Sequence, residues 1–201
     1  MFSSCNKLQS VVPDYLPQYE IVKTVIVGDQ RVGKSTLVSQ LINPGNTDKV
    51  LTTVGLDYTS KMLSINKSSV KIWIWDTSGD PAYSSFVTDY SSKSDLVLVV
   101  FDVGNIQTFV DVRYIIYKIR ESCCGREQVI VIVGTKTDLR RTVSYAMAKQ
   151  IADELDCEYV ELCCLSDVQV LALFQDAVSK VISKRYKASA TVSSTSSCLI
   201  V

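Results

Sequence analysis

The chain has 201 residues, 47% of them hydrophobic, with 21 acidic and 21 basic side chains. That length fits one globular domain with tails and buries a core without staples, and the charge balance argues against nucleic acid as a partner. There is no histidine, which excludes histidine-based catalysis and ordinary zinc sites. The seven cysteines form no C-x-x-C pair, and the adjacent pairs Cys123-Cys124 and Cys163-Cys164 are poor disulfide partners, so reduced thiols in the cytosol are expected.

Residues 1–19 are polar, contain Pro13 and Pro17, and read as a flexible lead-in. Met1-Phe2-Ser3-Ser4 is not a signal peptide, and Phe2 stands where myristoylation needs glycine. No apolar run approaches membrane-spanning length. Glu20 to Val27 is apolar and β-branched, the pattern of a buried strand. It runs into Gly28-Asp29-Gln30-Arg31-Val32-Gly33-Lys34-Ser35, which reads G-x-x-x-x-G-K-S. From Ser35 to Ile42 the residues Leu37, Val38, Leu41 and Ile42 then recur at helical spacing. Strand, loop and helix form a cradle in which backbone N–H groups and a helix N-terminus face a polyphosphate. Lys34 brings a point charge to the outer phosphates, and the Ser35 hydroxyl can ligate Mg2+.

Asn43-Pro44-Gly45-Asn46 ends this helix, and Thr47 to Leu56 is a polar loop. Tyr58 to Ile65 and Val70 to Trp75 are strands joined by Asn66-Lys67-Ser68-Ser69, a connector short enough to require an antiparallel hairpin. Asp76-Thr77-Ser78-Gly79 closes the second of them. Leu96 to Phe101 is a central strand, and Gln107 to Ser122 carries Phe109, Val112, Ile115, Ile116 and Ile119 on one helical face. Val129 to Val133 is a buried strand, Tyr145 to Leu155 a helix, Tyr159 to Cys163 a short strand, and Val168 to Ile182 a final amphipathic helix. The alternation predicts an α/β fold: a six-stranded, mostly parallel sheet with one antiparallel strand and helices on both faces. Residues 188–197 are Ser/Thr-rich, lack apolar periodicity and are expected to be disordered.

The discriminating pattern is Gly134-Thr135-Lys136-Thr137-Asp138, at a strand end. A carboxylate there can accept from N1–H and the 2-amino group of guanine. Adenine has neither donor and would leave the charge unpaired. The Lys136 stem can lie over the base plane while its head reaches the loop.

With these motifs on one chain, residues from about Glu20 to Ile182 resemble a Ras-superfamily small GTPase, closest to Rab. Thr53-Val54-Gly55-Leu56-Asp57-Tyr58 resembles the Rab stretch T-I-G-x-D-F, and Trp73-Ile74-Trp75-Asp76-Thr77-Ser78-Gly79 resembles a Rab strand ending W-D-T-A-G. Thr135 in place of Asn, and Leu165 in the last base-binding loop, resemble Rho instead. The helical insert expected of Rho after Asp138 is missing, so Rho is the second reading.

The resemblance implies a P-loop small G-protein fold over residues 20–183 and a variable tail over residues 184–201. It implies GTP or GDP with Mg2+ as ligands. The nucleotide would be bound by Gly28, Gln30, Arg31, Val32, Gly33, Lys34, Ser35, Thr36, Thr53, Asp76, Gly79, Thr135, Lys136 and Asp138, and by Cys163-Cys164-Leu165. Ser35 and Thr53 would ligate Mg2+, with Asp76 holding it through water. Gly79 would offer its N–H to the γ-phosphate, so that Thr53 and Gly79 make two segments sense that phosphate. Tyr58, Trp75 and Tyr90 match three aromatic positions presented to effectors. An exchange factor, a GTPase-activating protein, effectors and a prenyl-binding carrier are the implied partners of a monomer.

Three departures matter. Asp80 stands at the family's water-positioning Gln; a carboxylate cannot donate a hydrogen bond and repels the γ-phosphate. Hydrolysis by the groups Lys34, Thr53 and Asp80 is therefore expected to be slow. Gln30 and Arg31 replace Ser-Gly and are expected to crowd the γ-phosphate, and Asn46 and Val50 replace aromatic residues beside the nucleotide. A GTP-binding scaffold that does not hydrolyse, or a Rho-like signalling GTPase, are the competing readings; a P-loop ATPase or kinase is disfavoured by Asp138. The chain ends Cys198-Leu199-Ile200-Val201, cysteine followed by two aliphatic residues and X, which predicts prenylation at Cys198 and reversible attachment to the cytoplasmic face of a membrane.

Overall fold

The computed structural model describes residues 19–45, 51–123 and 125–195. The lead-in up to residue 18, Asn46 to Val50, Cys124 and the ending from residue 196 with Cys198 lie outside the described residues. The elements are β1 (Glu20–Val27), α1 (Lys34–Ile42), β2 (Leu56–Ile65), β3 (Ser68–Thr77), α2 (Ser84–Ser92), β4 (Leu96–Asp102), α3 (Ile106–Ser122), β5 (Val129–Thr135), α4 (Tyr145–Glu154), β6 (Glu158–Glu161) and α5 (Asp167–Thr195). They build one six-stranded sheet in the order β2-β3-β1-β4-β5-β6. Only β2 and β3 pair antiparallel; the other neighbours are parallel. This is the expected α/β, P-loop GTPase architecture.

The central strands β1, β4 and β5 read as largely apolar runs because both faces of the sheet are covered there. Ile26, Leu98 and Val131 point to one side and meet Leu37, Leu41, Phe174 and Val178 of α1 and α5. Val25, Val99 and Ile132 point to the other and meet Val112, Ile116, Ala148 and Ala152 of α3 and α4. The chain leaves β1 for β3 on one side and returns to β4 on the other. The crevice at the carboxyl end of β1 is therefore the topological switch point where ligands bind in such sheets.

Four local differences from the sequence pattern have physical causes. The β2–β3 connector is only Asn66-Lys67, with φ of +49° and +69°, so Ser68 and Ser69 belong to the strand. Two left-handed residues in succession match the twist of a tight hairpin. Helix α2, with the 3-10 turn Pro81–Tyr83 before it, has no strong apolar stripe; only Ser91 is buried among its residues. β6 stops at Glu161, which leaves Leu162, Cys163 and Cys164 in a loop, with the Leu162 N–H donating to Gly134 O at 2.9 Å.

The fourth difference overturns the expected disorder after Lys187, because α5 continues as helix to Thr195. Lys184, Arg185, Lys187, Ala188 and Ala190 are good helix formers and need no apolar face to propagate a helix already docked. Docking is by Arg185, which reaches Asp95 Oδ2 at 2.8 Å and donates to Ile21 O at 3.0 Å, and by Tyr186, which donates to Glu20 Oε1 at 2.9 Å. Lys184 pairs with Glu127 at 3.0 Å, and Lys180 with Glu158.

Candidate functional site

The loop between β1 and α1 is shaped by close approach. At Gly28, with φ of +141°, a Cβ would stand 2.1 Å from the Val100 carbonyl oxygen. Gly33, with φ of +101°, caps α1 and accepts from Leu37 N at 2.9 Å. The loop is pinned from beneath by Thr135, wholly buried, whose Oγ1 lies 2.5 Å from Val32 O and 2.9 Å from Phe101 O. The side chain of Thr135 thus supports the cradle rather than facing a ligand. Cys164 packs from the same direction, its sulfur 3.8 Å from Gly33 O, and burial pushes its thiol up to about 12.

Lys34 is buried at 6% exposure, and its Nζ donates to Gly28 O at 3.0 Å and Asp29 O at 2.7 Å. Burial lowers its pKa to about 8, against the opposing pull of Asp76 and Asp29. The loop's own carbonyls therefore hold the ammonium in place at the mouth of the cradle.

Beside it, three oxygen-bearing side chains from three segments converge. Ser35 Oγ lies 2.7 Å from Thr53 Oγ1, and Thr53 Oγ1 donates to Asp76 Oδ2 at 3.1 Å. Asp76 Oδ1 is buried and has no hydrogen-bond partner among the described residues. Burial pushes the Asp76 carboxyl up, and the hydroxyls of Ser35 and Thr53 pull it back down. A buried carboxylate oxygen without a partner, next to two hydroxyls, is a hard-oxygen set of the kind Mg2+ takes. Among the described residues no cluster of three or more His, Cys, Asp or Glu side chains exists. A cation here would thus complete its shell from phosphate and water, which is the habit of Mg2+ rather than Ca2+.

A cavity of about 250 Å3 joins these parts, lined among others by Gln30, Arg31, Thr36, Gly79 and Lys136. Gly79 is forced by contact: a Cβ would stand 2.3 Å from Gln30 N. Asp80, next in sequence, turns its carboxylate to the 3-10 turn, accepting from Ala82 N at 2.9 Å. An Asp followed by Pro81 at the first helical position is a capping pattern, and it occupies the Asp80 carboxylate.

At the far end, Lys136 has φ of +60° and its Nζ pairs with Asp102 Oδ2 at 2.7 Å. Asp138 is exposed, as is Leu165. Burial and a hydrogen bond to Asp138 push the Cys163 thiol above its ordinary range. Cys163 N–H donates to Gln169 Oε1 at 2.9 Å, and its carbonyl accepts from Ser166 N at 3.0 Å. Asp138, Cys163 and Leu165 stand outside the lining of this cavity, which Lys136 joins.

The three aromatic residues expected at the surface do cluster. Tyr58 lies opposite Trp75 in the β2–β3 register, ring centroids 5.7 Å apart, and Trp75 is 5.7 Å from Tyr90. Trp73 joins them, at 6.3 Å from Tyr58 and 6.4 Å from Trp75. In the sequence it counts only toward the strand motif and not toward the aromatic trio, although its separation of two from Trp75 puts both rings on one face of β3.

The Ras family matches residues 23–183, and the chain belongs to that family. Within it the chain is a Rab-like small GTPase: it is 27% identical over 171 residues, 84% of this chain and 83% of the relative, to the Ras-related protein Rab-1A of Dictyostelium discoideum.

Proposed function

We propose that the protein is a GTP/GDP switch of Rab-like type, acting in intracellular vesicle traffic with slow intrinsic hydrolysis. The observation that carries this is the tie among Ser35, Thr53 and Asp76, with an unpartnered carboxylate oxygen at its centre. These residues come from the helix after the phosphate loop, the segment before β2 and the end of β3. A Mg2+ with a γ-phosphate would bind all three at once, so loss of that phosphate would release Thr53 and Gly79 from a shared ligand. The Mg2+, when bound, neutralises phosphate charge; Lys34 and the loop N–H groups orient the nucleotide, and Asp138 selects the base. Identification of the co-purified nucleotide by mass, with and without Mg2+ chelation, tests the reading. GDP or GTP released on chelation is the expected result, and adenine nucleotide or none refutes it.

A non-hydrolysing scaffold is the second reading, favoured by the engagement of Asp80 as a cap. Asp80→Gln separates the two. It restores an amide at the family's position and is expected to raise the single-turnover rate about tenfold, within the range that water-positioning groups supply. An unchanged rate would show that position 80 does not limit the chemistry.

Exchange factor, GTPase-activating protein, effectors and prenyl carrier complete the proposed cycle, with Tyr58, Trp75 and Tyr90 on the effector face. Prenylation of Cys198 would give reversible attachment to the cytoplasmic face of a membrane. A single chain anchors only marginally, and Lys180, Lys184 and Arg185 are already paired with carboxylates, which weakens a second, basic signal. Protein from its native cell is expected to carry the mass of a prenyl group and to lack Leu199 to Val201. An unmodified mass would exclude the lipid.

A further inference from the structure

Asp80, which stands where the family has its water-positioning Gln, spends its carboxylate on Ala82 N. The groups that hydrolysis needs, a neutral donor–acceptor for the water and a cation for the developing charge, nevertheless occur side by side in the loop. Gln30 and Arg31 are both exposed, both line the phosphate cavity, and neither side chain has a polar partner among the described residues. Gln30 N lies against Gly79, whose missing Cβ would stand 2.3 Å away, so Gln30 abuts the residue before Asp80. The amide absent from position 80 is thus present on the adjoining strand of the cavity wall. Arg31 holds φ of +60°, a left-handed conformation that glycine adopts freely and a side chain strains to keep. A residue kept at a strained position, in a cavity, with its charge uncommitted, points to work at that cavity.

We propose that Gln30 orients the attacking water and Arg31 neutralises the transferring phosphoryl group, so that the loop itself supplies both hydrolytic groups. The proposal rests on the GTPase reading above. In the step, water oxygen bonds to the γ-phosphorus. The bond from that phosphorus to the bridging oxygen breaks, its electron pair stays on the β-phosphate to give GDP, and the water proton leaves with inorganic phosphate. Gln30 accepts from the water and donates to a γ-oxygen, which a carboxylate cannot do. Arg31 acts as a cation supplied in cis.

The test is single-turnover hydrolysis by full-length chain preloaded with GTP and Mg2+, with retained nucleotide measured first. Gln30→Ala, and Gln30→Glu of equal bulk but without the donor, are each expected to slow hydrolysis about tenfold or more. Arg31→Gly is expected to slow it by at least as much while raising Tm by about 2–4 °C, through relief of the left-handed strain. Rate loss with a gain in stability is a signature that a merely structural role would not give. If these side chains only crowd the phosphate, Gln30→Ala and Arg31→Gly will match or exceed the wild-type rate, and the proposal is overturned. A wild type that retains GTP without turning it over overturns it equally. A wild type that retains no GTP refutes the nucleotide reading, and this proposal falls with it.

Discussion

Asp138→Ala is expected to erase the preference for GTP over ATP. Two charge-assisted hydrogen bonds from N1–H and the 2-amino group are worth about 3–6 kcal/mol together, a factor on the order of 10^2 to 10^4. Part of the discrimination is repulsive, because adenine would leave the carboxylate unpaired against its N1 lone pair. Asp138 is exposed and its protein contact is the Cys163 thiol, so the substitution removes little that the fold depends on. Competition binding with both nucleotides reads the effect directly. A variant as selective as the wild type, with its thermal midpoint intact, would show that another group reads the base.

The largest effect on stability is expected at Gly28. Gly28→Ala must place a methyl 2.1 Å from the Val100 carbonyl oxygen, and that atom belongs to the backbone of a central strand and has nowhere to go. The loss is expected to be about 4 kcal/mol or more, with a fall in Tm on the order of 10 °C. Gly45→Ala is the control: φ there is +78°, and among the described residues nothing beyond its chain neighbours lies within 4 Å of a Cβ. It shares the backbone penalty without the collision, so about 1 kcal/mol is expected. Equal losses at the two positions, measured by denaturant unfolding, would mean that the sheet yields to the methyl group.

Much of this was legible because the signals are local. A buried parallel strand writes itself as an apolar run, and β1 begins and ends where the run does. The phosphate loop is contiguous in sequence, so its Lys and Ser could be named from spacing alone. What escaped depends on tertiary geometry. Helix α2 hides because it lies on the surface with a polar sequence and takes its start from a capped turn at Asp80. The end of α5 hides because it is held by Asp95, Glu20 and Glu127, residues 57 to 165 positions away. Sequence places Thr135 at the nucleotide because it opens the base motif where the family has Asn; its burial between Val32 O and Phe101 O shows that its side chain braces the loop. No pattern of residue types records which way a side chain faces at a strand end.

The chain contains two tryptophans, and both belong to the aromatic cluster on the β2–β3 hairpin. Its tryptophan emission therefore originates in one place. Trp75 touches Tyr58 on β2 and Tyr90 on α2, the helix that follows Gly79, while Asp76, next to Trp75 in sequence, is bonded to Thr53. Any displacement of α2 against the hairpin alters the surroundings of that indole without a label. The unmodified protein carries its own optical gauge of the segment that a γ-phosphate would hold, readable in a stopped-flow cuvette as nucleotide is exchanged.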